Sequence, residues 1–203
     1  MLTFNADTHE YFDEDGKFVP NVTRVLGALN PYLGVPQEVL DAKADIGDAV
    51  HYACELYDLG QLEIWPKEID GYMKAYEKFR LTTGFNPTVI ERIVHHTKYK
   101  FCGRLDRVGM FSKLKRARKT DTCQIDIKTT ALLMPTTGPQ TAAYNEACAS
   151  SFGFRPKRRF AVQLKPSGDY VLEEYADPGD FGVFLSALNL YNWKLKHNIK
   201  GSP

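Results

Sequence analysis

The spacing of apolar residues changes from helical to alternating at about residue 85, and this change restricts the chain to folds that combine helices with a sheet. Before it, apolar residues recur at intervals of three and four, which predicts a helix from Pro66 to near Gly84. After it, segments rich in β-branched residues predict strands at 87–96, 100–111 and 123–130. The sequence therefore predicts an α/β (α+β) fold with a central mixed sheet flanked by helices.

The N-terminal part predicts smaller elements. An N-terminal β-hairpin is expected within residues 2–20, followed by a short helix with Thr23 as its N-cap. A longer helix is expected from near Pro36 to Gly60, and a break near Asp45 is compatible with its sequence.

The C-terminal part predicts a helix, a hairpin and a closing helix. The first helix lies within 135–153 and ends at Gly153, and the hairpin turns at 166–168. We expect a single domain of 203 residues. Its parts are a hairpin and short helix (1–30), a helical segment (36–84), a core (87–175) and a closing helix (179–197).

Charge is distributed unevenly along the chain. The net charge is +1, yet residues 1–91 carry −9 and residues 92–203 carry +10. A basic half suits a polyphosphate ligand, although these charges could equally solvate different faces. With no apolar run of 18 residues and no secretory signal at the N-terminus, we expect no membrane partner and a cytoplasmic protein.

The segment Ile125-Asp126-Ile127-Lys128 carries the clearest chemical pattern. Because alternate residues of a strand share a face, Asp126 and Lys128 should point together while both isoleucines enter the core. A carboxylate beside an ammonium suits metal-dependent chemistry, in which the lysine orients a water and offsets negative charge. The same pattern could also be an ion pair without a function.

Asp106 strengthens the metal interpretation. It lies in Gly103-Arg104-Leu105-Asp106 on the preceding predicted strand, so pairing of the two strands would bring it beside Asp126. Two adjacent carboxylates repel, and a divalent cation converts that repulsion into attraction. A turn residue at the end of a strand is the alternative for Asp106.

Four other side chains could contribute to the same site. His51 shares a helix face with Gly47 and Glu55, and Gln140 and Tyr144 are spaced four apart in the same way. Glu91 alternates with hydrophobic residues on its predicted strand, so it could face either metal ions or solvent. Each of these side chains could instead serve only packing or solvation.

Together these segments resemble the PD-(D/E)XK nucleases, and most closely their RecB-like exonuclease branch, which includes many small phage proteins. The shared motifs, in the family's order, are Gly47-xxx-His51, Gly103-Arg-Leu-Asp106, Asp126-Ile-Lys128 and Gln140-xxx-Tyr144. The resemblance covers roughly residues 9–175. Leu105 stands where the family name has proline, a common relaxation.

The resemblance implies a restriction-endonuclease-like core and a metal-dependent DNA exonuclease. It assigns catalytic roles to Asp106, Asp126, Lys128, Gln140 and Tyr144. The implied ligands of Mg²⁺ or Mn²⁺ are His51, Asp106, Asp126, the carbonyl of Ile127 and, less strongly, Glu91. The implied partners are DNA ends and a single-strand annealing or single-strand-binding protein in a phage or bacterial recombination, repair or processing system, with the host cytoplasm as location for a phage protein.

The cysteines lack the pattern of the iron–sulfur members of that family. Cys54, Cys102, Cys123 and Cys148 are scattered and form no CxxC pair, so we expect free thiols and no iron–sulfur cluster.

Two basic segments are candidates for phosphate contacts. They comprise Lys113, Lys115, Arg116, Arg118 and Lys119 in the first, and Arg155, Lys157, Arg158 and Arg159 in the second. Their convergence on one face would favour DNA binding with little sequence specificity. An endonuclease of the restriction or junction-resolving type and a catalytically silent DNA-binding accessory remain alternatives.

Overall fold

A computed structural model describes residues 2–5, 8, 10–27, 29 and 37–199, and within these residues it contains two β-sheets and five α-helices. The strands are β1 (Thr3–Asn5), β2 (Glu10–Phe12), β3 (Phe18–Val19), β4 (Phe85–His96), β5 (Phe101–Phe111), β6 (Cys123–Lys128), β7 (Arg158–Leu164) and β8 (Tyr170–Glu174). The helices are α1 (Val22–Gly27), α2 (Gln37–Asp58), α3 (Asp70–Thr83), α4 (Thr137–Phe152) and α5 (Asp180–Lys196).

The first three strands form a small antiparallel sheet in the order β1-β2-β3, as the N-terminal pattern predicts. A tight turn joins β2 to β3, in which Asp13 Oδ1 accepts hydrogen bonds from the backbone N–H groups of Asp15 and Lys17. The small sheet is attached to the rest of the protein by a bridge between Asn21 and Cys102.

The beginning of α1 differs from the prediction. Asn21, and not Thr23, caps this helix, because Asn21 Oδ1 accepts a hydrogen bond from the backbone N–H of Arg24 at 2.7 Å. Thr23 lies inside the helix and donates its hydroxyl to the same Asn21 oxygen at 2.9 Å.

The two helices before the large sheet largely follow the prediction. Helix α2 runs unbroken through Asp45, so a break there is wrong, while its expected start at Pro36 lies outside the described residues. Before α3 there is a short 3₁₀ helix, Lys67–Ile69, that follows Pro66. Helix α3 ends at Gly84, whose left-handed φ of 61° suits a residue without a Cβ.

The other five strands form a mixed sheet in the order β4-β5-β6-β7-β8. Neighbouring strands are antiparallel except for β6 and β7, which run parallel because α4 connects them. Gly153, with a φ of 72°, ends α4 as predicted. The predicted mixed sheet with flanking helices is confirmed, and the architecture fits a restriction-endonuclease-like fold.

Helices cover both faces of this sheet. Residues of α2 and α3 pack on one face, with Phe79, Ile125, Ile127 and Phe160 among the buried side chains. Residues of α1, α4 and α5 pack on the other face, around Leu105 and other side chains of β4 and β5. Both faces of β6 are therefore covered, and its polar residues Asp126 and Lys128 need partners within the protein.

No helix among the described residues is both long enough and apolar enough to span a lipid bilayer. The four cysteines are buried free thiols in three separate packing clusters. The expectation that no iron–sulfur cluster is bound stays a prediction.

Candidate metal centre

The pairing between β5 and β6 stops where the candidate site begins. Backbone pairing continues as far as Arg107 and Ile125. One step further, the side chain of Asp106 takes the place of a backbone partner, because its Oδ2 accepts a hydrogen bond from the N–H of Ile127 at 2.6 Å. The carbonyl of Ile127 lies 3.2 Å from His51 Nε2. The two strands thus leave a gap that side chains fill.

Three side chains gather at this gap and form what we call the metal-ligand group: His51, Glu91 and Asp106. One potential ligand atom from each lies within 4.8 Å of the others. His51 Nδ1 lies 3.6 Å from Glu91 Oε1 and 3.8 Å from Asp106 Oδ2. An imidazole nitrogen and two carboxylates are a donor set that accommodates Mn²⁺ or Mg²⁺.

Glu91 faces the other two members because of its position on β4. Its neighbours Ile90 and Arg92 pair with Arg107 and Leu105, which places Glu91 opposite Asp106. Its φ of 44° is left-handed, an uncommon conformation for a residue with a side chain. Its side chain is only 6% exposed. Of the two orientations that the sequence allows, the structure shows the one toward the carboxylates.

Asp126 and Lys128 point together, while Ile125 and Ile127 enter the core, as the alternation predicts. Lys128 Nζ lies 2.8 Å from Asp126 Oδ2, and Gln140 Nε2 donates to Asp126 Oδ1 at 3.2 Å. These two partners occupy the Asp126 carboxylate. Within the part of the chain that the structure describes, the close group around His51 therefore includes Glu91 and not Asp126.

Tyr144 lies on α4 beside the same site. Its ring packs against Gly103, where an added Cβ would come within 2.7 Å of Tyr144 Cε1. Burial, assisted by the charges of Asp106 and Asp126, raises the pKa of Tyr144 well above its usual range. Tyr144 is therefore both a core residue and a neutral hydroxyl near the carboxylates.

The pKa values reflect the concentration of acidic groups. Burial alone would lower the pKa of His51, but the carboxylates of Asp106 and Glu91 raise it to about 9. Burial, together with the charges of Asp126 and Glu91, raises the pKa of Asp106 to about 7, although His51 and Lys128 oppose that shift. The site thus retains protons that a divalent cation would displace.

Sequence reasoning missed a buried ionic network behind Glu91. Arg107, which is fully buried, donates from Nη1 to Glu91 Oε1 at 2.7 Å and from Nε to Asp58 Oδ2 at 2.6 Å. Asp58 also accepts a hydrogen bond from Tyr76 at 2.6 Å and forms an ion pair with Arg80. The sequence does contain one indication of this network, because Arg107 lies among the apolar residues of β5. A buried arginine requires a buried carboxylate as its partner.

The basic segments meet each other at the opposite end of the sheet. Residue Cys123 pairs with Arg158, whereas Lys128 pairs with Gln163. At about 3.3 Å per residue, Arg158 therefore lies about 16 Å along the strands from the level of Lys128. The structure does not bring either segment to the metal-ligand group.

Two arginines of the second segment are engaged in internal contacts. Arg158 forms a two-pronged ion pair with Glu174, with distances of 2.7 and 2.6 Å. Arg159 donates to Asp180 at 3.0 Å and to the carbonyls of Gly138 and Asp177. Their side chains are 18% and 13% exposed.

Arg158 and Arg159 are thus engaged within the protein, and their role in DNA binding stays a prediction. The other basic residues of the two segments keep that role as a prediction.

No protein-family model matches the chain, and no curated protein matches it. A solved structure described as SSO0001 matches with 18% identity and a TM-score of 0.38, covering 78% of this chain and 76% of that chain. A second, described as LHK-Exo in complex with dAMP, matches with 15% identity and a TM-score of 0.41, covering 89% of each chain.

Proposed function

We propose that this chain is a Mg²⁺- or Mn²⁺-dependent DNA exonuclease that hydrolyses phosphodiester bonds. The observation that carries the proposal is the gathering of His51, Glu91 and Asp106 within 4.8 Å, beside the Asp126–Lys128 pair. These residues come from separate segments, four of them from motifs that resemble the PD-(D/E)XK nucleases in order. A protein that only bound DNA would have no need for this arrangement.

The metal-ligand group would hold the cation, with the carbonyl of Ile127 and the Asp126 carboxylate close by. Buried carboxylates that lie this close repel one another, and a divalent ion removes that repulsion. When bound, such an ion supplies charge stabilisation at the phosphoryl oxygens and an acidified water.

The residues of the chain have complementary tasks. Lys128 is 20% exposed and held by Asp126, so its ammonium can contact an attacking water or a phosphoryl oxygen from the solvent side. Gln140 fixes the other oxygen of Asp126. Tyr144 keeps its proton and can donate a hydrogen bond to the substrate.

The proposal also concerns the substrate and the cellular setting. The sequence resemblance favours DNA ends over internal sites, so the chain would act in DNA recombination, repair or processing in a phage or bacterium. A single-strand annealing or single-strand-binding protein would be its partner, and the host cytoplasm its location.

The experiment is a cleavage assay on end-labelled linear DNA, single- and double-stranded, with Mg²⁺ or Mn²⁺ and with EDTA. We expect EDTA-sensitive release of nucleotides from linear DNA and no cutting of closed circular DNA. Asp106→Asn should abolish the release, whereas Asp45→Asn, an exposed change on α2, should not. Cutting of circles would favour an endonuclease, and the lack of any EDTA-sensitive cleavage would contradict the proposal.

A further inference from the structure

One face of helix α5 points away from the protein and carries no charged residue. Exposed residues of this helix recur at intervals of three and four, so they share one side, which we call the outer face. The outer face consists of Gly182, Val183, Ser186, Asn189, Leu190 and Trp193. The charged residues of the helix, Asp180, Lys194 and Lys196, stand at its two ends. Because the exposed side of a surface helix normally carries charged side chains, the outer face differs from an ordinary solvated one.

The large side chains of the outer face are apolar. Val183 is 49% exposed, Leu190 41% and Trp193 53%. The opposite side of α5 is occupied within the protein, because Phe184 and Leu188 are buried against residues of α1 and α4. The centres of protein interfaces are depleted in charged residues and enriched in aromatic ones, and tryptophan often dominates their binding energy. The outer face therefore has the composition of an interface.

The shape of the outer face is complementary to itself. Its small residues, Gly182 and Ser186, lie toward the start of α5, and its large ones, Leu190 and Trp193, lie toward the end. An added Cβ at Gly182 would meet no atom of the described residues within 4 Å, so the space above it is open. If two copies pack antiparallel about a twofold axis near Asn189, Trp193 of each copy lies over the turn from Gly182 to Ser186 of the other. A parallel pair would instead set the two tryptophans against each other.

The charges at the ends of α5 favour the same arrangement. Asp180 lies in the first turn, and Lys194 and Lys196 lie in the last. Antiparallel packing places each acidic end beside a basic end and aligns the two helix dipoles in opposite directions, which is favourable. A helix that lies on a lipid surface typically has lysine and arginine along its polar side, whereas the basic residues of α5 are confined to its last turn. A second copy of the chain is therefore the occupant that the charges favour.

We propose that the outer face of α5 is a twofold dimer interface, on which a second copy of this chain packs its own α5 in antiparallel orientation. The 17 residues of the helix span about 25 Å, which gives a small interface, so the dimer should be weak and should dissociate at micromolar concentrations. The metal-ligand group comes from α2, β4 and β5, whereas α5 packs on α1 and α4. Each copy thus keeps its metal-ligand group outside the interface, and the inference does not depend on the proposed function.

Sedimentation velocity measures the association. Between about 1 and about 200 µM protein, we expect the mass to rise from that of one chain, 23.0 kDa, toward twice that value. Trp193→Lys and Ser186→Lys, both exposed changes, should each raise the dissociation constant by roughly 30-fold or more, as expected for the loss of a central contact. The matched control is Leu195→Lys, since Leu195 is 52% exposed but lies two residues beyond Trp193 and thus on another side of the helix. The control should dimerise like the wild type.

Cross-linking tests the orientation of the two helices. The four native cysteines are buried, so an introduced surface cysteine is the one that reacts. With a short bis-maleimide, Asn189→Cys should cross-link to its counterpart near the axis. His197→Cys should not, because eight residues on each side of the axis separate the two positions by about 24 Å. A parallel pair would cross-link at both positions.

The outcomes separate this inference from the nuclease proposal, because neither experiment requires metal or DNA. Dimerisation that both outer-face variants weaken and Leu195→Lys retains, with cross-linking at residue 189 alone, supports the inference. A monomer at every concentration overturns it and assigns the outer face to some other partner. A trimer, a dimer that persists in both variants, or cross-linking at residue 197 overturns it as well.

Discussion

Arg107 Nη1 donates a hydrogen bond to Glu91 Oε1 at 2.7 Å, and a fully buried cation thereby holds one carboxylate of the metal-ligand group in place. The same guanidinium donates to Asp58 on its other side and to the carbonyl of Asp106. Burial lowers the pKa of Arg107, but the interactions with Tyr76, Glu91 and Asp106 raise it, and the net shift is upward. Its positive charge thus partners the buried Asp58 carboxylate and also holds Glu91 in the metal-ligand group.

Replacing Arg107 should destabilise the folded protein. Arg107→Met leaves Asp58 and Glu91 as buried charges without their shared partner, so we expect a loss of about 3–5 kcal/mol in the free energy of unfolding. Urea denaturation in EDTA measures it. The matched control is Arg155→Met, which breaks an exposed pair with Glu146 and should cost at most about 1 kcal/mol. Equal losses in the two variants would contradict the role assigned to the buried network.

Replacing two glycines by alanine should change the stability of the protein in opposite directions. At Gly103 an added Cβ would clash with the ring of Tyr144, so Gly103→Ala should cost about 1–3 kcal/mol. At Gly47, inside α2, the nearest atom would be Thr129 Oγ1 at an ordinary 3.5 Å, so Gly47→Ala should gain about 0.5–1 kcal/mol. Thermal unfolding of both variants checks the contrast, and a stabilising Gly103→Ala would show that Tyr144 does not pack as described.

The stability of the metal-free protein should depend on pH through Asp106. Burial and nearby carboxylates raise its pKa from 3.8 to about 7, so the folded state binds this proton more tightly than the unfolded chain does. The stabilisation of the folded state by this proton is complete below about pH 4 and is lost as the pH rises to about 7. Above that range the charged Asp106 opposes folding.

Asp106→Asn removes this charge and keeps an oxygen for the N–H of Ile127. Its melting temperature in EDTA should exceed that of the wild type by a few degrees at pH 8, and the difference should shrink toward pH 5. A variant that melts below the wild type at pH 8 would contradict the sign of this effect.

Replacing Lys128 should affect DNA hydrolysis much more than metal binding. Lys128→Ala should lower the rate of DNA hydrolysis by about 10²- to 10⁴-fold while leaving Mn²⁺ binding nearly unchanged, because its ammonium is not a ligand. Isothermal titration with Mn²⁺ and a cleavage assay measure the two effects. Lys196→Ala, on the exposed end of α5, is the control. Asp126→Ala should also abolish cleavage, and full activity in both variants would place the reaction elsewhere.

Local patterns predicted most of the elements. The alternation of Ile125, Asp126, Ile127 and Lys128 correctly assigned both faces of β6, and Gly153 correctly ended α4. The error at α1 arose because Asn21 and Thr23 are both good capping residues, and only the hydrogen bond to the N–H of Arg24 distinguishes them.

Contacts between residues far apart in the chain could not be predicted from the sequence. Arg107 meets Asp58 across 49 residues, and no local pattern pairs them. The distance of the basic segments from the site depends on strand order and direction, as does the orientation of Glu91 on β4. Strand order and register are tertiary features, and local patterns in a single sequence do not specify them.

The most direct test of the metal centre is a crystal structure of the protein soaked in Mn²⁺, with anomalous scattering used to locate the ion. The account predicts a peak between His51, Glu91 and Asp106, within about 2.5 Å of the carboxylate oxygens. A well-ordered site without a peak there, or a peak only at a distant surface, would contradict it.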